Sequence, residues 1–73
     1  MENEVPIAKK IRILRLRKNL TQRQLAKRLM VAHNTVSQYE NGTICPSVFT
    51  VVQLSRLFNV TTDYLLGVQE SEY

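Results

Sequence analysis

His33, Asn34, Ser37, Gln38 and Asn41, all within AHNTVSQYENG at residues 32–42, are neutral hydrogen-bonding side chains in a stretch without a base. On a helix that turns about 100° per residue, Val36 marks one face, with Tyr39 and Glu40 to either side of it. Asn34, Ser37, Gln38 and Asn41 then fall on the opposite face, with His33 at its margin. Side chains of this kind can read the edges of stacked bases. An Asn or Gln amide meets the adjacent donor and acceptor of adenine, and each such pair discriminates by about 1–3 kcal/mol. Lys and Arg can read guanine too, but they also bind phosphate anywhere and so raise non-specific affinity. A polar helix face is more often merely solvated, so the strip must be weighed with what positions it.

Other chemistry finds little support. His33 and Cys45 are the only residues of their types, so neither a disulfide within the chain nor a multi-ligand metal site is expected. No nucleophile–base constellation and no phosphate loop is present, so no enzymatic activity and no cofactor is expected. A lone Cys45 in a loop reads as a plain loop residue, and the spacing of Tyr39 from Val36 assigns it to the core.

The elements around the strip follow from periodicity and caps. Ile7, Ile11 and Leu14 predict a first amphipathic helix from near Pro6 to about Lys18-Asn19. Thr21 reads as an N-cap, with Gln24 completing a capping box, and Leu25, Ala26 and Leu29 form the buried stripe of a second helix. The polar strip lies on the third helix, which Asn41-Gly42 stops. Ser47 caps a fourth segment whose Val48–Val52 run has strand propensity. Its continuation through Leu54, Leu57 and Phe58 favours helix, with Val51, Leu54, Ser55 and Phe58 on one face. Thr62 is expected to cap a last turn over 63–66, which Gly67 ends, and the tail from about 68 to 73 is expected to be frayed.

Charge is divided along the chain. Residues 1–40 hold nine bases against three acids, a net of +6, whereas residues 41–73 hold Arg56 against Asp63, Glu70 and Glu72, a net of −2. A basic half suits a polyanion, although solubilising charge would look the same. With 73 residues and 44% hydrophobic content, one folded domain over 1–73 is expected. The N-terminus has no apolar run like that of a signal peptide, and no stretch is long enough to span a bilayer, so a cytoplasmic location and no membrane partner are expected.

The segment QRQLAKRLMVAHNTVSQYEN, residues 22–41, resembles the helix-turn-helix of the phage Cro/repressor-type family, also called the XRE family. TQRQLA at 21–26, Val31 at the turn, Val36 and Tyr39 inside, and the exit YENG at 39–42 carry the likeness. PS at 46–47, LSRLFNV at 54–60 and TTDYLLG at 61–67 extend it over about 7–67. The positions also make physical sense, since Ala26 is small where two helices cross and Val36 fills the angle between them.

This resemblance implies an all-α, five-helix, lambda-repressor-like fold and a sequence-specific regulator of transcription. It implies a repressor that binds a near-palindromic operator in double-stranded DNA as a homodimer, weak off DNA. By position, Ala32, His33, Asn34, Ser37 and Gln38 would lie against bases. Gln22 and Asn41 would hold backbone phosphates, and Arg23 and Lys27 would either add to them or be solvated. Arg15 would pair with Glu40. Phe49, Val60 and Leu66 are candidate dimer contacts. The family usually has Gly where Met30 stands, so either Met30 carries strain in a positive-φ turn or the turn differs. Two alternatives share these features: an antitoxin that also masks a toxin, and a module that binds only protein.

Overall fold

Local capping chemistry sets where the helices begin. The computed structural model describes residues 6–68, with α1 at Pro6–Arg17, α2 at Gln22–Leu29, α3 at His33–Glu40, α4 at Val48–Phe58 and α5 at Thr62–Leu65. Among the described residues there is no strand. Thr21 Oγ1 accepts from the Gln24 backbone N–H at 3.0 Å while Gln24 Oε1 accepts from the Thr21 N–H at 2.8 Å. This reciprocal box satisfies two donors that a helix start otherwise leaves unpaired. Ser47 Oγ likewise accepts from the Thr50 N–H, so the β-branched run 48–52 is drawn into α4, where Thr50 and Val51 are buried. The expected frayed tail lies outside the described residues apart from Val68.

Two expectations are corrected. Thr61, not Thr62, caps the last helix, its Oγ1 accepting from the Tyr64 N–H at 3.0 Å. Two adjacent threonines offer the same cap chemistry, and the chain uses the one in extended conformation. Val60 is buried against the core and is not a free contact residue. Asn59 takes a left-handed conformation at the end of α4, which folds the chain back and turns Val60 inward.

The five helices share one core. Ile7, Ile11 and Leu14 of α1 meet Leu25, Ala26 and Leu29 of α2, Val36 and Tyr39 of α3, Val51, Leu54 and Phe58 of α4, and Leu65 of α5. Ser55, expected on the inner face of α4, is half-buried and donates its hydroxyl to the Val52 carbonyl at 2.8 Å. α3 packs on both α2 and α1, so the polar strip rests on the two helices that carry most of the positive charge. Gly67 closes the chain against α1; its φ is +81°, and a Cβ there would come within 2.9 Å of Pro6 Cβ.

The turn between α2 and α3 answers the question posed by Met30. Its φ is 61° and ψ 43°, and its backbone N–H donates to the Lys27 carbonyl at 3.2 Å. Left-handed backbone costs a residue with a Cβ roughly 1–2 kcal/mol. The side chain is 88% exposed, so it returns almost no packing energy. Met30→Gly is therefore expected to leave stability unchanged or raise it by up to about 1 kcal/mol, the greater freedom of unfolded glycine offsetting part of the gain. A thermal melt reads this directly, and a clear fall in Tm would refute strain at Met30.

Candidate nucleic-acid interface

The inner face of α3 anchors it. Val36 is fully buried and Tyr39 nearly so, and Ala26 of α2 is small enough to let the two helices cross closely. What α3 leaves outside is the polar strip: His33, Asn34 and Asn41 are exposed, and Ser37 and Gln38 are half-buried. Ala32 is the exposed N-cap, and it supplies no side-chain hydrogen bond to the helix start. The amide and hydroxyl groups thus stand along one side of a short, well-seated helix, an arrangement suited to entering a groove and meeting base edges.

The end of α3 is closed by its neighbours in sequence. Asn41 keeps a right-handed φ of −93°, and Gly42 takes the positive φ. Asn41 Oδ1 accepts from the Thr43 backbone N–H at 2.9 Å and from the Thr43 hydroxyl. That leaves the Asn41 NH2 as the group able to donate to an anion.

One buried ion pair ties the site together. Arg15 Nε donates to Glu40 Oε2 at 2.6 Å and Nη2 donates to Oε1 at 3.1 Å, a two-pronged contact. Nη1 donates to the Leu20 carbonyl at 2.8 Å. The two side chains are only 10% and 5% exposed, where an unpaired charge would be strongly unfavourable. Gln22 adds a third partner, donating Nε2 to Glu40 Oε1 at 3.2 Å. This last bond spans α2 and α3 and is not among the expectations from the sequence.

Arg12, Arg15, Gln22, Ser37, Glu40 and Asn41 line one cleft of about 260 Å³. The structure therefore divides the four residues that the resemblance sets near a phosphate backbone. Gln22 and Asn41 share this cleft, whereas Lys27 lines a separate depression with Leu20, Gln24 and Arg28. Arg23 lines neither and is exposed. Arg12 is the residue that the sequence reading misses, though its place three residues before Arg15 on α1 is a signal, since such residues share a helix flank. Among the described residues the acids are Glu40 and Asp63, against ten bases. With Glu40 paired to Arg15, the charged lining of the cleft is two guanidinium groups against one carboxylate. No group of three or more His, Cys, Asp or Glu able to hold a metal occurs among the described residues, and no helix there is long and apolar enough to cross a membrane.

A compact bundle with a short polar helix braced at a tight turn on a basic pair defines a helix-turn-helix class of protein. The family model described as helix-turn-helix matches residues 11–65, and the chain belongs to this Cro/repressor-type (XRE) family. It is similar to the HTH-type transcriptional regulator ImmR of Bacillus subtilis (strain 168), 38% identical over 64 residues, covering 88% of this chain and 50% of that protein. It is 41% identical over 61 residues to the HTH-type transcriptional activator BcrR of Enterococcus faecalis, covering 84% of this chain and 30% of that one. The cryptic phage CTXphi transcriptional repressor RstR of Vibrio cholerae is 36% identical over 62 residues, 85% of this chain and 56% of that protein. The chain thus spans about half or less of the length of these relatives. Among solved structures, the P22 c2 repressor in complex with a synthetic operator superposes with a TM-score of 0.80 at 27% identity, covering 86% of this chain and 96% of that one. The fold is therefore the lambda-repressor-like one.

Proposed function

We propose that this chain is a sequence-specific double-stranded DNA-binding regulator of transcription, acting in the cytoplasm as a repressor and not as an enzyme. The observation that carries the reading is the neutral hydrogen-bonding face of α3, rigidly seated between basic α1 and α2. Ala32, His33, Asn34, Ser37 and Gln38 would meet bases, with Ala32 against a thymine methyl. Gln22 and Asn41 would hold phosphate, and Arg23 and Lys27 would add backbone contacts. The relatives' names as transcriptional regulators, and the operator bound to the P22 c2 repressor, support it. Repression needs no more than occupancy of an operator that overlaps a promoter.

Selection of bound sequences from random duplexes tests this reading. Enrichment of a near-palindrome with half-sites about 34 Å apart is the expected result. Affinity should also fall steeply with salt, log K against log salt having a slope of about −0.9 for each phosphate contacted. Binding that is flat in salt would refute it.

A single short helix reads few base pairs, so a dimer of this chain is part of the proposal. Phe49 is 84% exposed and Val48 82% exposed. Val48 lines an apolar groove with Pro46, Val51, Val52, Thr62 and Leu66, and Phe49 follows it in the first turn of α4. An exposed ring one residue from a groove-lining valine suits a twofold contact, in which each copy supplies both parts. Phe49→Ala is expected to weaken binding to a duplex with two half-sites by about tenfold or more, since a buried Phe contributes roughly 1.5–3 kcal/mol. Binding to a single half-site should be unchanged. Equal losses on both duplexes would place Phe49 elsewhere than the dimer contact.

A further inference from the structure

We infer that Glu40 is a positioning residue for DNA-backbone binding, acting through the side chain of Gln22. The inference rests on the proposed DNA-binding function and adds to it. Glu40 Oε1 is shared between Arg15 Nη2 at 3.1 Å and Gln22 Nε2 at 3.2 Å. Oε2 is held by Arg15 Nε at 2.6 Å, so the carboxylate is clamped before it receives the amide. Arg15 in turn is fixed by the Leu20 carbonyl at the entry to α2. Leu20, Gln22 and Glu40 thus hang on one network, which joins the end of α3 to the start of α2.

A primary amide has two N–H groups and one acceptor oxygen. Glu40 takes one N–H of Gln22 and leaves the other for a ligand in the cleft shared with Arg12, Ser37 and Asn41. That ligand is a phosphodiester oxygen of the DNA strand. Glutamine is a flexible side chain, and ordering it on binding costs affinity. Ordering it beforehand is worth roughly two- to tenfold in the binding constant. The carboxylate itself stays 5% exposed and shielded by Arg15, so it steers the amide without repelling the phosphate.

A double-mutant cycle on a mixed-sequence duplex of about 30 base pairs at low salt tests this, because a phosphate contact needs no known operator. Glu40→Asp keeps the charge opposite Arg15 but draws the acceptor back by one methylene. With Gln22 present it is expected to lower affinity about fivefold; in the Gln22→Ala background it should lower it less than about twofold. Equal losses in both backgrounds, or no loss from Gln22→Ala alone, would overturn the positioning role while leaving DNA binding standing. Failure of the unmodified chain to bind the duplex would overturn the DNA reading itself, and the inference with it. Side-chain amide NMR of the unmodified protein gives a readout that does not depend on the folding of any variant. The Gln22 NH2 should be ordered relative to that of exposed Gln53, and equal mobility of the two would overturn the tether.

Discussion

Glu40→Ala is expected to lower the folding free energy by about 3–5 kcal/mol. The change removes a carboxylate and leaves the guanidinium of Arg15, about nine-tenths buried, without its counter-charge. Leu20 O still accepts from Nη1, but Nε and Nη2 lose their partners. A domain of this size has roughly 0.05–0.15 kcal/mol of stability per residue, so the loss is comparable with the whole. The variant should be largely unfolded near body temperature, or show a fall in Tm of well over about 10 °C. Urea titration followed by circular dichroism measures it, and an effect below about 1 kcal/mol would mean that solvent reaches the pair.

The source of that loss can be separated from the worth of the pair. Replacing both partners by apolar groups of similar volume is often neutral, because neither charge is then left stranded. Arg15→Met combined with Glu40→Leu should therefore recover more than half of the stability lost by Glu40→Ala. It should not recover backbone binding, since Gln22 would still lack its acceptor. Stability restored without affinity distinguishes an ion pair kept for packing from one kept for function.

The helices are legible in the sequence because each announces itself locally. Thr21 with Gln24, Ser47 with Thr50, and the apolar spacing of Ile7, Ile11 and Leu14 all act within one or two turns. The two corrected details turn on the connection between α4 and α5. Helical periodicity says nothing about a residue just past a left-handed Asn, so nothing in the pattern marks Val60 as core rather than surface. The choice between Thr61 and Thr62 depends on backbone conformation, which the two identical side chains do not reveal. At the site, the polar strip can be read from the wheel because solvent exposure follows it. The bond from Gln22 to Glu40 cannot, because it joins residues 18 apart in the chain and depends on how α2 and α3 cross. The conformation at Met30 is indicated by resemblance alone, since nothing in a methionine side chain calls for positive φ.

The second large effect concerns base recognition. Asn34→Ala and Gln38→Ala should each relax preference at particular base pairs, by about 1–3 kcal/mol at the affected position. The physical basis is that a base-edge contact is lost only where the correct base stood, whereas a wrong base had no such contact to lose. Asn34 is exposed and Gln38 half-buried on the outer side of α3, so truncation leaves the Val36 and Tyr39 anchors untouched and the fold intact. Gln22→Ala should behave differently, weakening every sequence by a similar factor, because phosphates are the same along the strand. The contrast is measured by repeating the random-duplex selection with each variant. Affinity for the best site should fall in all three, but the enriched sequence should lose information at fixed positions only with Asn34→Ala and Gln38→Ala. An unchanged sequence preference for both would move recognition off α3, whatever affinity remained.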